Sequence, residues 1–273
     1  LGSRITISFL LIFLFYKCQI HKHEQEKKAI SIQDSISHLL KTSKKVPFEN
    51  AKLILENAIS LSKELGNDSL YFKSINRLAI FEFKQREYGQ FKQRSGKLLK
   101  TAFEKKDTLY IAKGYFNLGS YYARISEVDT SYYYFNEAKR YYQILKDSAK
   151  VGSSLLNMSI LQTEKGDYYG SESTTKEALF YVNKNSKPKT TRSLYNNFGV
   201  ISYELKHYKD GLHWYQKALQ LTKIPKAQAV ILNNIGVIYR DMGDYKNAIL
   251  YFKKGLSIDL KKEEYVYPML LDN

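Results

Sequence analysis

Cysteine, proline and glycine are scarce in this sequence, and their scarcity excludes several fold classes. A single cysteine, Cys18, among 273 residues excludes an internal disulfide. Four prolines and 14 glycines are too few for a protein built from many strands and tight turns. Hydrophobic residues still make up 44% of the chain, which is enough for a sizeable core. Long helices joined by short loops are therefore predicted.

Acidic residues are outnumbered, with 27 Asp and Glu against 43 Lys and Arg, for a net charge of +16. Such an excess favours acidic partners, nucleic acid or anionic lipid surfaces. The lysines, however, are scattered along nearly every predicted helix, and the longest basic runs, such as Lys44-Lys45, contain two residues. A solvated basic surface is the preferred interpretation, and nucleic-acid binding through this region is the lesser alternative.

Apolar runs long enough to cross a bilayer are also lacking. The segment from Ile5 to Tyr16 is apolar apart from Thr6 and Ser8, but a bilayer requires about 20 residues. Its length fits the apolar part of a secretory signal, roughly 7–15 residues. We assign residues 1–30 to a signal peptide or membrane-proximal segment and predict an exported bacterial protein, periplasmic or membrane-associated. Without a signal it is cytoplasmic. Lipidation of Cys18 is an open alternative, although Lys17 stands where a small residue is usual.

Small residues recur in two series with a period of 40 residues that shortens to 37 at the last step. The first series is Ala79, Gly119, Ser159, Gly199 and Gly236, and the second is Ala58, Leu98, Ala138, Ala178, Ala218 and Gly255. Both series shorten together, which indicates one repeating unit. Around the small positions the apolar residues follow helical spacing, as in Tyr115, Leu118, Gly119 and Tyr122.

Glycine inside a helix needs a reason, because it costs about 1 kcal/mol relative to alanine. Close approach of two helices supplies that reason, since helix axes come nearest where the contact side chains are small. Aromatic residues three positions before the second small residue, Phe135, Tyr215 and Phe252, are expected to fill the remaining gap.

Helix start and turn signals recur with the same period. Asp107-Thr108 and Asp147-Ser148 each precede an apolar run, where they are able to accept bonds from first-turn amides. Gly166-Asp167-Tyr168 and Gly243-Asp244-Tyr245 separate the two helices of a repeat. Six helix hairpins are predicted at about 31–66, 69–106, 108–146, 148–185, 189–223 and 227–262.

These residues resemble the tetratricopeptide repeat family, whose first helix carries a large residue, Leu-Gly and Tyr, and whose second carries Ala, an aromatic and Ala. Glu82, Ser95, Ser171 and Thr175 depart from the pattern, and the unit is longer than the usual one. The resemblance covers residues 31–273 and implies an all-α, right-handed α-solenoid of about six hairpins. A seventh repeat is expected to begin near Tyr265 and to be truncated.

The resemblance also implies a peptide-binding groove lined by the first helices. Asparagines two residues before the small position are its expected ligands: Asn117, Asn157, Asn197 and Asn234, with Asn196 and Asn233 beside two of them. An amide both donates to and accepts from a peptide backbone. The alternative is that these asparagines bond within the stack. Cations at equivalent or neighbouring phases are expected to reach the same groove: Lys73, Lys113, Arg124 and Arg240.

No converging set of titratable groups indicates catalysis, so the chain is predicted not to be an enzyme and to need no cofactor. His21 and His23 lack the carboxylate or cysteine partners of a metal site. The preferred function is a module that binds a protein or extended peptide. The resemblance implies the sensor half of a bacterial membrane-linked signalling protein, attached at the N-terminus or beyond residue 273. The alternatives are an assembly scaffold without signalling output, as a lipoprotein or soluble, and a basic cytoplasmic nucleic-acid binder.

Overall fold

The computed structural model describes residues 28, 30–43, 45–183 and 188–258, and within these ranges the chain is helical and contains no strand. It divides into two compact units, residues 1–87 and 88–273. The first unit contains α1 (30–42), α2 (Phe48–Glu64) and α3 (Asp68–Lys84). The helices of the second unit are α4 (Tyr88–Glu104), α5 (Thr108–Arg124), α6 (Val128–Ile144), α7 (Ser148–Glu164), α8 (Tyr168–Asn183), α9 (Pro188–Glu204), α10 (Tyr208–Gln220), α11 (Pro225–Asp241) and α12 (Tyr245–Leu256).

The predicted all-α solenoid of tetratricopeptide-like hairpins is confirmed, since consecutive helices of similar length pack pairwise along each unit. Among the described helices, none combines the length and apolarity needed to cross a membrane. The predictions for residues 1–27, including the signal segment, Cys18, His21 and His23, lie outside the described residues. So does the predicted seventh repeat near Tyr265.

The glycines of the first helices lie against aromatic rings of the second helices, as the spacing predicts. A Cβ added to Gly119 would stand 2.9 Å from Cδ1 of Phe135, and one added to Gly199 would stand 2.5 Å from Cδ1 of Tyr215. Gly236 meets Phe252 in the same way, at 2.6 Å from Cε1. These distances are shorter than any carbon–carbon contact that a side chain tolerates, so glycine permits the helices to pack at this distance.

Eight turns between the described helices use a residue with a positive φ, and five of these eight residues are not glycine. Gly166 and Gly243 have φ values of 77° and 79°, in agreement with the turn prediction. Arg86, Lys106, Ser126, Lys146 and Lys206 adopt the same left-handed conformation, with φ between 55° and 66°. The amide of such a residue and the amide of the next one donate back to the helix, as Lys146 N does to Gln143 O and Asp147 N to Tyr142 O. This arrangement ends the helix and satisfies its last carbonyls.

Several of the helices are capped by an acidic or amide side chain at the residue before their first turn. Asp107 accepts a hydrogen bond from the Tyr110 amide, and Asp147 accepts one from the Lys150 amide, each at 3.0 Å. Asn67 and Asp244 cap α3 and α12 in the same way. Each cap satisfies one of the unpaired first-turn amides, which fixes where the helix begins and therefore the register of the repeat.

Candidate functional site

The asparagines predicted to line a groove lie mostly inside the stack. Asn117, Asn157 and Asn197 are at most 5% exposed, whereas Asn234 is half-buried. Of their neighbours, Asn196 is half-buried and Asn233 is exposed. Burial to this extent leaves the three central amides little surface to offer a ligand in this conformation.

Two of the buried amides hydrogen-bond within the stack. Asn157 Nδ2 donates to the Ser153 carbonyl at 2.9 Å. Asn197 Nδ2 donates to both Ser159 Oγ and Thr175 Oγ1 at 3.0 Å, which lie in the preceding hairpin. Asn234 hydrogen-bonds the Tyr215 hydroxyl, while burial raises the pKa of that tyrosine. These bonds agree with the alternative that the asparagines serve the stack, and the peptide ladder stays a prediction.

The central part of helix α7 leaves little surface open to solvent. Its residues Val151–Ser159 are all buried, so no face of its central part is open to solvent. Gly152, Ser153, Ser154 and Ser159 are small, and small side chains let several neighbouring helices approach at once. The central part of α7 therefore presents little surface to a partner.

The predicted cations lie on three helices: Lys73 on α3, Lys113 and Arg124 on α5, and Arg240 on α11. Lys73 is exposed and belongs to the first unit. Lys113 lies over the Tyr110 ring, 4.5 Å from its centroid. Arg124 Nε donates to the Tyr88 hydroxyl at 2.9 Å, and Arg240 Nε donates to Asp241 Oδ1 at 2.7 Å. Arg124 and Arg240 thus make contacts at the C-terminal ends of their helices.

A group of ring contacts crosses α4, α5 and α6, and we call it the aromatic surface: Phe103, Tyr115, Tyr121, Tyr122, Tyr133, Tyr134 and Tyr141. Tyr115 stacks on Tyr141, with ring centroids 5.6 Å apart, and Tyr122 stacks on Tyr134 at 5.2 Å. Phe103 meets both Tyr115 and Tyr141 edge-on. Phe103 is 42% exposed and Tyr133 is 55% exposed, while the other rings are half-buried. The rings therefore support one another and still present area to solvent.

Burial favours the neutral form of two phenols in the aromatic surface, those of Tyr115 and Tyr134. Burial raises the pKa of Tyr115 to about 12, with smaller contributions from Tyr133 and Tyr141. Burial also raises the pKa of Tyr134. The Lys92 ammonium lies 5.1 Å from the Tyr121 ring centroid and 5.5 Å from that of Tyr122, within cation–π range. The surface thus combines rings, hydroxyls and a positive charge.

A second aromatic cluster occupies the same repeat phase two hairpins further along. Trp214 stacks on Phe198 at 4.7 Å and on Tyr195 at 5.6 Å. Lys217 Nζ lies 4.7 Å from the Trp214 ring centroid. Tyr195 and Trp214 follow Tyr115 and Tyr134 by 80 residues each, which is two repeats. We call this set the tryptophan cluster. The recurrence of these rings at one repeat phase is visible in the sequence and is the signal that indicates this cluster.

Polar contacts 36 residues apart join successive hairpins at the turn edge. Tyr88 accepts from Arg124, and the Tyr168 hydroxyl donates to Glu204 Oε2 at 3.1 Å. Between α6 and α7 the corresponding contact is an ion pair of Lys165 with Asp129. At two junctions the first residue of a second helix thus meets the end of the next first helix. Helix α6 begins instead with Val128.

No group of three or more His, Cys, Asp or Glu side chains in the described part of the chain is placed to hold a metal ion. The surfaces described above offer ring faces, hydroxyls and ammonium groups without a nucleophile beside a base.

Comparison with known proteins agrees with this architecture. Residues 190–261 match the model of the family described as tetratricopeptide repeat. The fold is similar to that of BtubC (BKLC) from P. vanneervenii, with a TM-score of 0.66 and 17% identity, covering 84% of this chain and 99% of that one. A double mutant of MamA RS-1 gives a TM-score of 0.51 with 11% identity, covering 70% of this chain and 96% of that one. No curated protein matches the sequence.

Proposed function

We propose that this tetratricopeptide-repeat chain is a binding module for a polypeptide segment, which it contacts through the aromatic surface and the tryptophan cluster. The observation that carries the proposal is the recurrence of partly exposed rings at one repeat phase in the second unit, Tyr115 with Tyr134 and Tyr195 with Trp214. Repetition at one phase places similar groups along the stack, which suits an extended partner.

Tyrosine and tryptophan suit this role because they offer large, rigid area and one polar atom at little conformational cost. Lys92 and Lys217 lie against the rings, and the chain carries a net charge of +16. Charge complementarity therefore favours an acidic segment as partner. An acidic peptide also forms no repulsive pair with the neutral phenols of the surface.

The test is selection of 12-residue peptides from a random display library against the folded chain, followed by affinity measurement on variants. We expect selected peptides to carry acidic residues. Trp214→Ala and Tyr134→Ala are expected to weaken binding by about tenfold or more, the effect of removing a central aromatic contact. Tyr169→Ala is the matched control, because Tyr169 is 73% exposed and lies outside both clusters. Circular dichroism verifies that each variant folds.

A different pattern would decide against the aromatic clusters. If Asn157→Ala and Asn197→Ala abolish peptide binding in folded protein while Trp214→Ala leaves it unchanged, the asparagine ladder is the binding device. Failure to select any peptide from several libraries would count against polypeptide binding itself.

The export and signalling predictions are finer proposals. Export is supported by the apolar segment Ile5–Tyr16, which lies outside the described residues. Signalling is supported by the resemblance of the repeats to sensor regions. Fusing residues 1–30 to a reporter that is active only outside the cytoplasm tests export. Reporter activity is the expected result, and a fusion retained inside the cell would favour the cytoplasmic alternative.

A further inference from the structure

One junction of the second unit lacks the tyrosine found at its counterparts. Four second helices of this unit begin with tyrosine, namely Tyr88, Tyr168, Tyr208 and Tyr245, whereas α6 begins with Val128. At two of these positions the ring reaches the end of the next first helix, where Tyr88 meets Arg124 and Tyr168 meets Glu204. The shorter valine side chain leaves the corresponding space between α6 and α7 unfilled.

A cleft occupies this space. It has a volume of about 280 Å³ and is lined by Val128, Asp129 and Tyr132 of α6, by Leu161 and Gln162 of α7, and by Lys165 and Asp167 of the turn that follows α7. An aromatic ring fits, because a cavity of roughly 150 Å³ is enough to hold benzene. Lys165 and Asp129 form an ion pair at the cleft. Both side chains of this pair are largely exposed, and exposed ion pairs contribute little stability, so an entering group displaces it at low cost.

Two acceptor groups at this junction have unused hydrogen-bonding capacity. Gln162 Oε1 is buried and has no hydrogen-bond partner among the described residues, whereas Gln162 Nε2 donates to Asp167 at 3.2 Å. Glu164 stands 36 residues after Val128, as Glu204 stands 36 after Tyr168. Its carboxylate makes no hydrogen bond or ion pair within the described part of the chain, and partial burial raises its pKa. The hydroxyl that would bond such a group at a tyrosine junction is missing here.

We infer that the cleft at Val128 receives a tyrosine side chain of the bound polypeptide, whose hydroxyl donates to Gln162 or Glu164. The inference deepens the proposed function and rests on it, since it names a side chain that the partner presents. The chain's own Tyr168, donating to Glu204 one repeat later, shows the geometry that the partner's tyrosine reproduces. Two carboxylates, Asp129 and Asp167, line the cleft with a single lysine, so a neutral phenol is accepted and a phosphorylated tyrosine is disfavoured.

The test is an NMR titration of the chain with N-acetyl-L-tyrosinamide, followed through backbone amides of residues 128–132 and 161–167. We expect saturable shifts confined to these residues, with a dissociation constant on the order of 1 mM, as befits a single side chain. N-acetyl-L-phenylalaninamide, which lacks the hydroxyl, and O-phospho-L-tyrosine are expected to bind at least about tenfold more weakly. Val128→Tyr is expected to fill the cleft and abolish the shifts, whereas Val128→Ala keeps it open and preserves them.

A reciprocal variant keeps the test decisive if Val128→Tyr does not fold. Tyr168→Val opens the equivalent space beside Glu204 and is expected to create a second set of shifts around residues 168 and 201–205. The inference is overturned if tyrosinamide produces no local shifts, or if folded Val128→Tyr binds it as well as the parent chain does. If the inference fails but peptide binding still depends on Trp214, the proposed function holds and only the role of the cleft is rejected.

Discussion

At the scale of single residues, glycine acts as a spacer whose value depends on its neighbours. Gly199 lies under the Tyr215 ring, where an added Cβ would stand 2.5 Å from ring carbons. Gly96, inside α4, has nothing within 4 Å of the place where a Cβ would stand. Both glycines lie in helical backbone, but only Gly199 has close neighbours. Substitutions at the two positions therefore separate the effect of packing on stability from the effect of helix propensity.

We predict that Gly199→Ala lowers the free energy of unfolding by roughly 1–3 kcal/mol, because the methyl group forces the Tyr215 ring or the helix to shift. Gly96→Ala is expected to raise it by up to about 1 kcal/mol, since alanine is the better helix former and meets no neighbour. Urea unfolding followed by circular dichroism measures both. Equal effects at the two sites would show that Gly199 is not a packing position.

The close approach of helices at Gly119, Gly199 and Gly236 was predictable from the sequence. A small residue that recurs at the same position of each repeat indicates that the same helix–helix contact recurs in each repeat. The orientation of Asn197 was not predictable in the same way. Its partners, Ser159 and Thr175, come from the preceding hairpin, where serine and threonine replace the usual glycine and aromatic. Only the packed structure shows that the amide completes this polar contact.

At the scale of helices and turns, the ends of the helices depend on residues in left-handed conformation. Glycine marks such turns in the sequence at Gly166 and Gly243, but Lys106, Lys146 and Lys206 adopt the same backbone without any sequence signal. The repeat fixes the turn geometry, and the non-glycine residues tolerate it at a conformational cost of about 1–2 kcal/mol each.

We predict that Lys146→Gly raises the free energy of unfolding by about 0.5–1 kcal/mol, because glycine relieves the left-handed strain but loses more backbone entropy on folding. Gly166→Ala is the converse variant. A Cβ at Gly166 meets nothing within 4 Å, so conformational strain alone is expected to destabilise it, by about 1 kcal/mol. Chemical unfolding midpoints provide the comparison, and a destabilising Lys146→Gly would contradict this account of the turns.

At the scale of the whole molecule, the fold determines which surfaces remain for a partner. Because its residues are small, α7 buries its entire central part, including Asn157. That part of the helix is therefore not accessible to a partner. The ring pairs Tyr115–Tyr134 and Tyr195–Trp214 remain partly exposed and recur two repeats apart. Asn117, Asn157 and Asn197 are buried, whereas the rings of the two clusters are more accessible, and we propose that the rings bind the partner.

The central claim, that polypeptides bind through the rings, is tested most directly by ¹⁵N-labelled chain titrated with a display-selected peptide. Trp214 is the only tryptophan, so its indole N–H gives a single assignable NMR signal, while the side-chain amides of Asn157 and Asn197 report on the ladder. We predict that the indole signal shifts with saturation and that these two amide pairs stay in place. An indole signal that does not move while the asparagine amides shift would contradict the account.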